Sequence, residues 1–332
     1  MGMESDYIII LCGVFRDNYT PLTRSVFWKL YHKYHDSIRE LIESGEESIT
    51  ELLKRSASVT FALEELKQKG YHIITFLDEE FPERLRTKLQ DFCPPLLYSC
   101  GDWRLNRKRL VGYVGSRNIT EEDLNWTVNR VNKNIHDGYG IVTGGAKGID
   151  SVALNQALAD GGYAVLYLPD NIQAKIREPL IQKNLLNGSL LIYSHISPYA
   201  AKTRSSFIAS AMERNKYIYA QSIATVVVRS DYGKGGTWAG ATEAIKHRWS
   251  YVYVWNNQQY QGNQELIRLG GAALSDDGDV VKTDNEKDAT DNSEAASGRM
   301  EPAGENDNGS KPQETESEGV QLSIFDFINQ DE

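Results

Sequence analysis

Leu110-Val111-Gly112-Tyr113-Val114-Gly115-Ser116-Arg117 and Gly140-Ile141-Val142-Thr143-Gly144-Gly145-Ala146-Lys147-Gly148-Ile149-Asp150 decide the fold of this chain. Each is a short apolar run that ends in a glycine-bearing loop and leads into a helix-like segment. The first such segment, Glu121–Asp137, carries Leu124, Val128, Val131 and Ile135 on one face. Thr120 is placed to cap its start, and Asp123 three residues on completes a capping box. Strand, glycine turn and helix form the unit of a parallel sheet, whose ligands bind beyond the carboxyl ends of the strands. Glycine lets backbone come close to a phosphate, and a helix N-terminus favours negative charge. Arg117 and Lys147 add formal positive charge at the same edge. The chemistry points to a phosphate-bearing partner.

The unit recurs downstream. Thr225–Val228 predicts a strand, Gly233-Lys234-Gly235-Gly236-Thr237 a loop and Trp238–Lys246 a helix. The candidate phosphate-binding residues are therefore Gly115, Ser116, Arg117, Gly144, Gly145, Lys147, Gly148, Lys234, Gly235, Gly236 and Thr237, the last also as a helix cap. Their order excludes a Walker A loop and the Gly-x-Gly-x-x-Gly dinucleotide fingerprint. Further strands are expected at Tyr71–Phe76, Tyr163–Leu168, Leu190–Tyr193 and Tyr251–Trp255, and a last helix at Asn263–Leu269. Near-continuous apolar strands between amphipathic helices predict an α/β fold, a Rossmann-like, mostly parallel sheet with helices on both faces.

A small helical domain is expected before it, over residues 1–70. One apolar face runs from Phe27, Leu30 and Tyr31 to Ile38, Leu41 and Ile42, followed by helices at Ile49–Leu53 and Thr60–Lys69. Asp78–Leu85 and Pro94-Pro95-Leu96-Leu97-Tyr98 read as a connector into the main domain, 71–275.

The net charge of -10 argues against a nucleic-acid partner until it is divided along the chain. From Asp276 onward there are 17 acids against four bases, which leaves the rest close to +3. Residues 276–319 hold too little apolar surface to offset their ordering entropy and are expected to be a disordered acidic linker, with order-promoting residues returning in a peptide motif at 320–332. No apolar run approaches the roughly 18 residues of a membrane span, and Met1–Val14 lacks a signal-peptide pattern. Cys12, Cys93 and Cys100 have neither metal nor disulfide spacing, and the histidines form no triad or metal group. A cytoplasmic protein without metal, cofactor or membrane partner is expected.

From about Tyr71 to Leu274 the chain resembles the DNA-processing protein A family (DprA/Smf). The resemblance rests on Val114-Gly115-Ser116-Arg117, on Gly144–Asp150 as its Gly-Gly-Ala-x-Gly-Ile-Asp loop, and on Arg214-Asn215 with Ile218. Gly262, Leu266-Ile267 and Gly271-Ala272 extend it, and the entry segment from Asp78 through Phe81-Pro82 to Tyr98 is family-like. It implies an extended Rossmann-like domain that binds single-stranded DNA without chemistry and, in well-known members, hands it to a RecA-type recombinase. It adds Arg214 and Asn215 to the candidate DNA contacts, or as braces for the loops. A homodimer is a further candidate assembly. Departures mark a divergent branch: Ala153-Leu154 where a His is frequent, Arg229 in place of a carboxylate, a changed loop at Gly235–Ala241, Asn256-Asn257 for Pro-Gly and Gln264 for Asn. No winged-helix pattern follows.

Three motifs carry further readings. Tyr199 and Phe207, beside Lys202 and Arg204, are candidates for a basic–aromatic groove, and Trp238 for stacking on a base; the alternative for each is a place in the core. Gly235-Gly236-Thr237 with Glu243 faintly resembles the loop of lysine-decarboxylase-like nucleotide phosphoribohydrolases, where the Glu stabilises an oxocarbenium-like ribose. The alternative function is therefore such an enzyme, or a nucleotide sensor on the same scaffold. Gln321-Leu322-Ser323-Ile324-Phe325 resembles the bacterial sliding-clamp-binding motif, with Gln321 at a pocket rim and Leu322, Ile324 and Phe325 filling apolar pockets.

Overall fold

The computed structural model describes residues 2–200 and 203–280. The expected linker beyond 280, the clamp-like Gln321, Leu322, Ile324 and Phe325, and Lys202 lie outside the described residues.

Five helices come first: α1 (Met3–Cys12), α2 (Arg24–Lys33), α3 (Ile38–Glu43), α4 (Glu47–Leu53) and α5 (Ser56–Gln68). Sequence reasoning misses α1, because Glu4 and Asp6 make its start polar, yet Ile8, Ile9, Ile10 and Leu11 are buried. The apolar face expected to run on to Ile42 is split at His35 and Asp36, both left-handed at φ 53 and 57°. There the Asp36 N–H closes on the Tyr31 carbonyl at 3.0 Å, ending α2. Buried Arg55, at the α4–α5 junction, donates from Nε to the Ile10 carbonyl (2.8 Å) and from Nη2 to the Gly13 carbonyl (2.7 Å). It thereby satisfies carbonyls that the end of α1 leaves open.

The remaining elements alternate: β1 (His72–Thr75), α6 (Glu83–Leu89), β2 (Leu96–Gly101), β3 (Leu110–Val114), α7 (Glu121–His136), β4 (Gly140–Thr143), α8 (Ile149–Ala159), β5 (Ala164–Leu168), α9 (Pro179–Leu186) and β6 (Leu190–Ser194). Then come α10 (Arg204–Gln221), β7 (Ala224–Val227), α11 (Gly235–His247), β8 (Tyr251–Trp255), α12 (Gln261–Arg268) and β9 (Ala272–Leu274). Among the described residues the nine strands form one sheet in the order β1-β2-β6-β5-β4-β3-β7-β8-β9. From β6 to β9 every pairing is parallel; only β1–β2 and β2–β6 are antiparallel.

Alternation along the strands builds a core on each face. Val111, Tyr113, Ile141 and Leu166 face α7, α8 and α9, where Val131, Leu154 and Ile181 meet them. Leu110, Val114, Val142 and Val165 face the other way, toward Leu85 of α6, Tyr217 and Ile218 of α10 and Ala241 of α11. The α1 side chains serve both: Ile9 and Ile10 join the first core, Ile8 and Leu11 the second. The helical region and the sheet thus share their apolar interior.

Two strands escape the sequence reading. Leu96-Leu97-Tyr98, expected in the connector after Pro94-Pro95, opens β2, which is buried from Leu96 to Cys100 between β1 and β6. Ala272–Leu274 is too short and too exposed at its first two residues to signal β9.

The packed chain continues past the expected linker boundary at 276. Asp276 Oδ1 accepts from the indole N–H groups of Trp126 (2.8 Å) and Trp255 (2.9 Å), whose rings stack at 4.7 Å. The Arg130 guanidinium donates to the carbonyls of Ser275 (3.0 Å) and Asp276 (2.7 Å) and to that of Gly278. Lys133 pairs with Asp279 at 2.6 Å, and Val280 is buried. Ending the chain after Leu274 leaves two indole donors and the Arg130 fork without acceptors. Compared with a chain ending after Val280, its melting temperature is expected to fall by about 5 °C or more. Equal melting temperatures in calorimetry would contradict this clasp.

Candidate nucleic-acid interface

Strand order locates the site. From β3 the chain steps outward through β4, β5 and β6 on one side, then crosses by α10 to β7 on the other. This is a topological switch point, where the connections leave in opposite directions and open a crevice at the carboxyl edge. Register fixes the geometry: Val114 pairs with Val227, Gly112 with Val142, and the Val228 N–H donates to the Val114 carbonyl at 3.1 Å. The loops after β4, β3 and β7 therefore leave the edge within about 10 Å of one another, two strand spacings.

The first two loops interlock. The Ile149 N–H donates to the Ser116 carbonyl at 3.2 Å, and Ser116 Oγ accepts from the Asn118 N–H at 3.1 Å. Gly148 stands at φ +93°, and a β carbon there would collide with the Ser116 carbonyl. Only glycine lets the two loops close on each other.

Beneath them lies a buried ion pair. Arg214 of α10 and Asp150 of α8 are 4 and 9 % exposed and meet at 3.5 Å from Nη1 to Oδ2. A side chain at Gly144 would fall on the Arg214 guanidinium, so that glycine makes room for the pair. Burial pushes the Asp150 carboxyl up, opposed by Arg214 and by the Ala146 and Gly144 amides that face it. Burial likewise pulls the Arg214 guanidinium below its usual range, opposed by Asp150. The structure thus places Arg214 under the loop and away from the surface. Two amides of the glycine loop are turned inward, toward a carboxylate the protein itself supplies.

The three helix starts are not equivalent. α7 opens with Glu121, Glu122 and Asp123 and is closed by the Thr120–Asp123 capping box anticipated from sequence. α8 has Asp150 in its first turn. α11 begins at Gly235 with no side-chain cap and no acid in its first turn. Its N-cap is Lys234, while Thr237 lies inside the first turn, so the expectation of Thr237 as the cap is corrected. Asn215 holds this junction, Nδ2 donating to the Gly236 carbonyl at 3.2 Å. Arg214 and Asn215, neighbours on α10, thus brace the second and third loops.

Arg117, Lys147 and Lys234 point outward and are exposed. Among the described residues no carboxylate pairs with any of them, whereas Lys33, Arg39, Lys54, Arg104, Arg107 and Arg268, also exposed, each pair with one. Gly115, Ser116, Gly145 and Gly236 are half-buried and Gly235 is exposed, while Gly144 and Gly148 are buried. Tyr199, a candidate for a groove, lies under the Arg16 guanidinium at 4.9 Å and beside Phe15, and so belongs to the helical region's contact with the sheet. Phe207 is exposed.

Arg229, at the end of β7, is a residue whose role the sequence hides. Its Nη1 lies 3.0 Å from Oδ2 of fully buried Asp123, whose carboxylate also accepts from the Tyr260 hydroxyl (2.8 Å) and the Thr120 N–H (2.8 Å). Burial alone raises this carboxyl, but the Thr120 amide, the Tyr260 hydroxyl and Arg229 more than offset it and hold it below the usual range. The partners are 106 residues apart, and the pair ties the start of α7 to β7 across the switch point.

A family model described as DNA recombination-mediator protein A matches residues 72–284. The X-ray structure of DNA processing protein A from Streptococcus pneumoniae shares the fold, with a TM-score of 0.63 at 19% identity over 81% of this chain and 94% of that one. A structure of DNA processing protein A from Helicobacter pylori, described as giving insight into that protein's single-stranded DNA binding mode, aligns with a TM-score of 0.50 at 25% identity over 63% of this chain and 92% of that one. No curated protein sequence matches.

Because the Asp123 carboxyl is held below its unfolded value, its pairing stabilises the fold above that value, near pH 4, and the contribution is lost as pH falls toward the depressed folded value. Asp123→Asn is expected to cost about 2 kcal/mol or more at neutral pH. The melting temperatures of variant and parent should converge as pH falls from the unfolded carboxyl value toward the depressed folded one. A gap that does not narrow on acidification would contradict the assignment.

Proposed function

Since the chain belongs to the DNA recombination-mediator protein A family, matched over residues 72–284, we propose that it binds single-stranded DNA at the switch-point edge with little sequence preference. The observation that carries this reading is the trio Arg117, Lys147 and Lys234: exposed, without carboxylate partners among the described residues, and borne by the loops of three adjacent parallel strands. Phosphates are held by these side chains and by the open first turn of α11, at Gly235, Gly236 and Thr237. Gly115, Gly144, Gly145 and Gly148 shape the loops, Ser116 ties them together, and Arg214 and Asn215 hold them from below. The binding of single strands described for the Helicobacter pylori protein supports the same ligand here.

The chemistry is binding. Glu243, the residue an N-glycoside hydrolase of related scaffold would need, sits about 12 Å along α11 from Gly235, and its carboxylate is paired with Lys216. The name of the family fits a protein that hands its strand to a RecA-type recombinase, and a homodimer is a further proposed assembly. Among the described residues no helix is long and apolar enough to cross a membrane, and we place the protein with the cell's DNA.

Arg117→Ala with Lys147→Ala is expected to weaken oligothymidylate binding by about tenfold or more and to make the slope of log K against log salt shallower by about 1 to 1.5. Both are read by fluorescence anisotropy across a salt series. A folded double variant with unchanged affinity and slope would overturn the reading.

We also propose that Gln321, Leu322, Ile324 and Phe325 dock on a bacterial sliding clamp. A peptide spanning Val320–Glu332 should bind with micromolar affinity, as expected of a small contact that must also order the peptide. Gln321→Ala and Phe325→Ala should each weaken it. No binding at about 100 μM, or binding indifferent to both changes, would end this proposal.

A further inference from the structure

Loop side chains that grip phosphate do not by themselves distinguish a single strand from a duplex, since both present a backbone. The third loop carries something that can. Tyr232 is 52 % exposed, and its ring meets that of Trp238 edge to face, with centroids 5.1 Å apart and planes at 85°. Trp238, in the first turns of α11, is half-buried and packed against the core on that side of the sheet, so it is a fixed backstop. The turn that presents Tyr232 is also fixed. The Lys234 N–H closes on the Asp231 carbonyl at 3.3 Å, and the Ser230 N–H donates to Oδ1 of Asn263 at 2.9 Å. Asn263 is fully buried, and its Nδ2 binds the carbonyls of Val228 and Trp255, each at 2.9 Å. On the other side of Gly236 stands Met212 of α10, 41 % exposed, with its sulfur 3.7 Å from where a β carbon would lie.

An exposed tyrosine is ordinary on a protein surface. This one is braced by an aromatic edge, carried on a turn anchored to the core, and set two residues before Lys234, one of the three loop bases at this edge that have no carboxylate partner among the described residues. We infer that Tyr232, backed by Trp238, is a stacking platform for an unpaired base of a strand whose phosphates lie on the neighbouring loops. The inference rests on the reading of this edge as a single-strand site and deepens it. A stacked base needs an accessible face, which a duplex keeps within its own stack. The loop cations supply affinity for backbone, and the platform supplies the preference for unpaired nucleotides. Any base offers such a face, so the site stays indifferent to sequence.

The test is anisotropy on three ligands: oligothymidylate, an abasic oligonucleotide of the same length, and a duplex. Tyr232→Ala should weaken oligothymidylate binding by about fivefold to a hundredfold, the range for loss of one stacked base. It should leave the abasic strand and the duplex within about twofold, and Tyr232→Phe, which keeps the ring, should restore binding. Unchanged oligothymidylate affinity, or an equal loss on the abasic strand, would overturn the platform, while the effect of Arg117→Ala with Lys147→Ala on all three ligands would still stand. A parent protein that binds none of the three would overturn the platform together with the reading beneath it.

Discussion

Arg214 reaches from α10 into space that only a glycine at 144 leaves open, and there its guanidinium meets Asp150 at 3.5 Å, both groups nearly lost to solvent. Two buried charges of this kind are tolerated only as a pair, because removal of either leaves the other uncompensated in a low dielectric. The pair holds α10 against the β4 loop. Asn215, the next residue, holds the same helix to the start of α11. α10 is also the crossover that carries the chain from β6 to β7, so the element that creates the switch point is the one that stiffens its loops.

Charge on this edge is sorted by depth. Inward-facing positive groups are neutralised by the protein's own carboxylates: Arg214 by Asp150, and Arg229 by Asp123. Outward-facing Arg117, Lys147 and Lys234 are left without partners among the described residues. The helix starts follow the same division, with α7 and α8 supplied with their own acids and α11 open. A net charge of -10 is compatible with an anionic ligand because the acids gather beyond residue 276. The contacts of that segment with Trp126, Arg130 and Lys133 climb α7 away from its first turn and from the loops.

What the sequence made legible was local. The strands of Leu110–Val114, Gly140–Thr143 and Tyr251–Trp255 are bounded as expected, because an apolar run ending in glycine or a polar turn marks a buried parallel strand. β2 was hidden by its preceding prolines, and α1 by acids on its first turn. The break at His35 and Asp36 uses left-handed residues without glycine, which no composition rule flags. At the site, the glycines and the outward bases were readable from spacing. The burial of Arg214, the inward turn of the loop amides and the Arg229–Asp123 pair were not. Each depends on which helix packs over which loop, a property of topology rather than of neighbours in sequence.

The claim that a single strand lies across the loops of β4, β3 and β7 is tested most directly by photocrosslinking with an oligothymidylate carrying 4-thiothymidine, followed by mass spectrometry of the attached peptides. Crosslinks should fall within 115–118, 144–148 and 232–238, and should disappear in the Arg117→Ala, Lys147→Ala protein. Crosslinks concentrated instead on α7 and residues 275–280, or on α1 to α5, would contradict it.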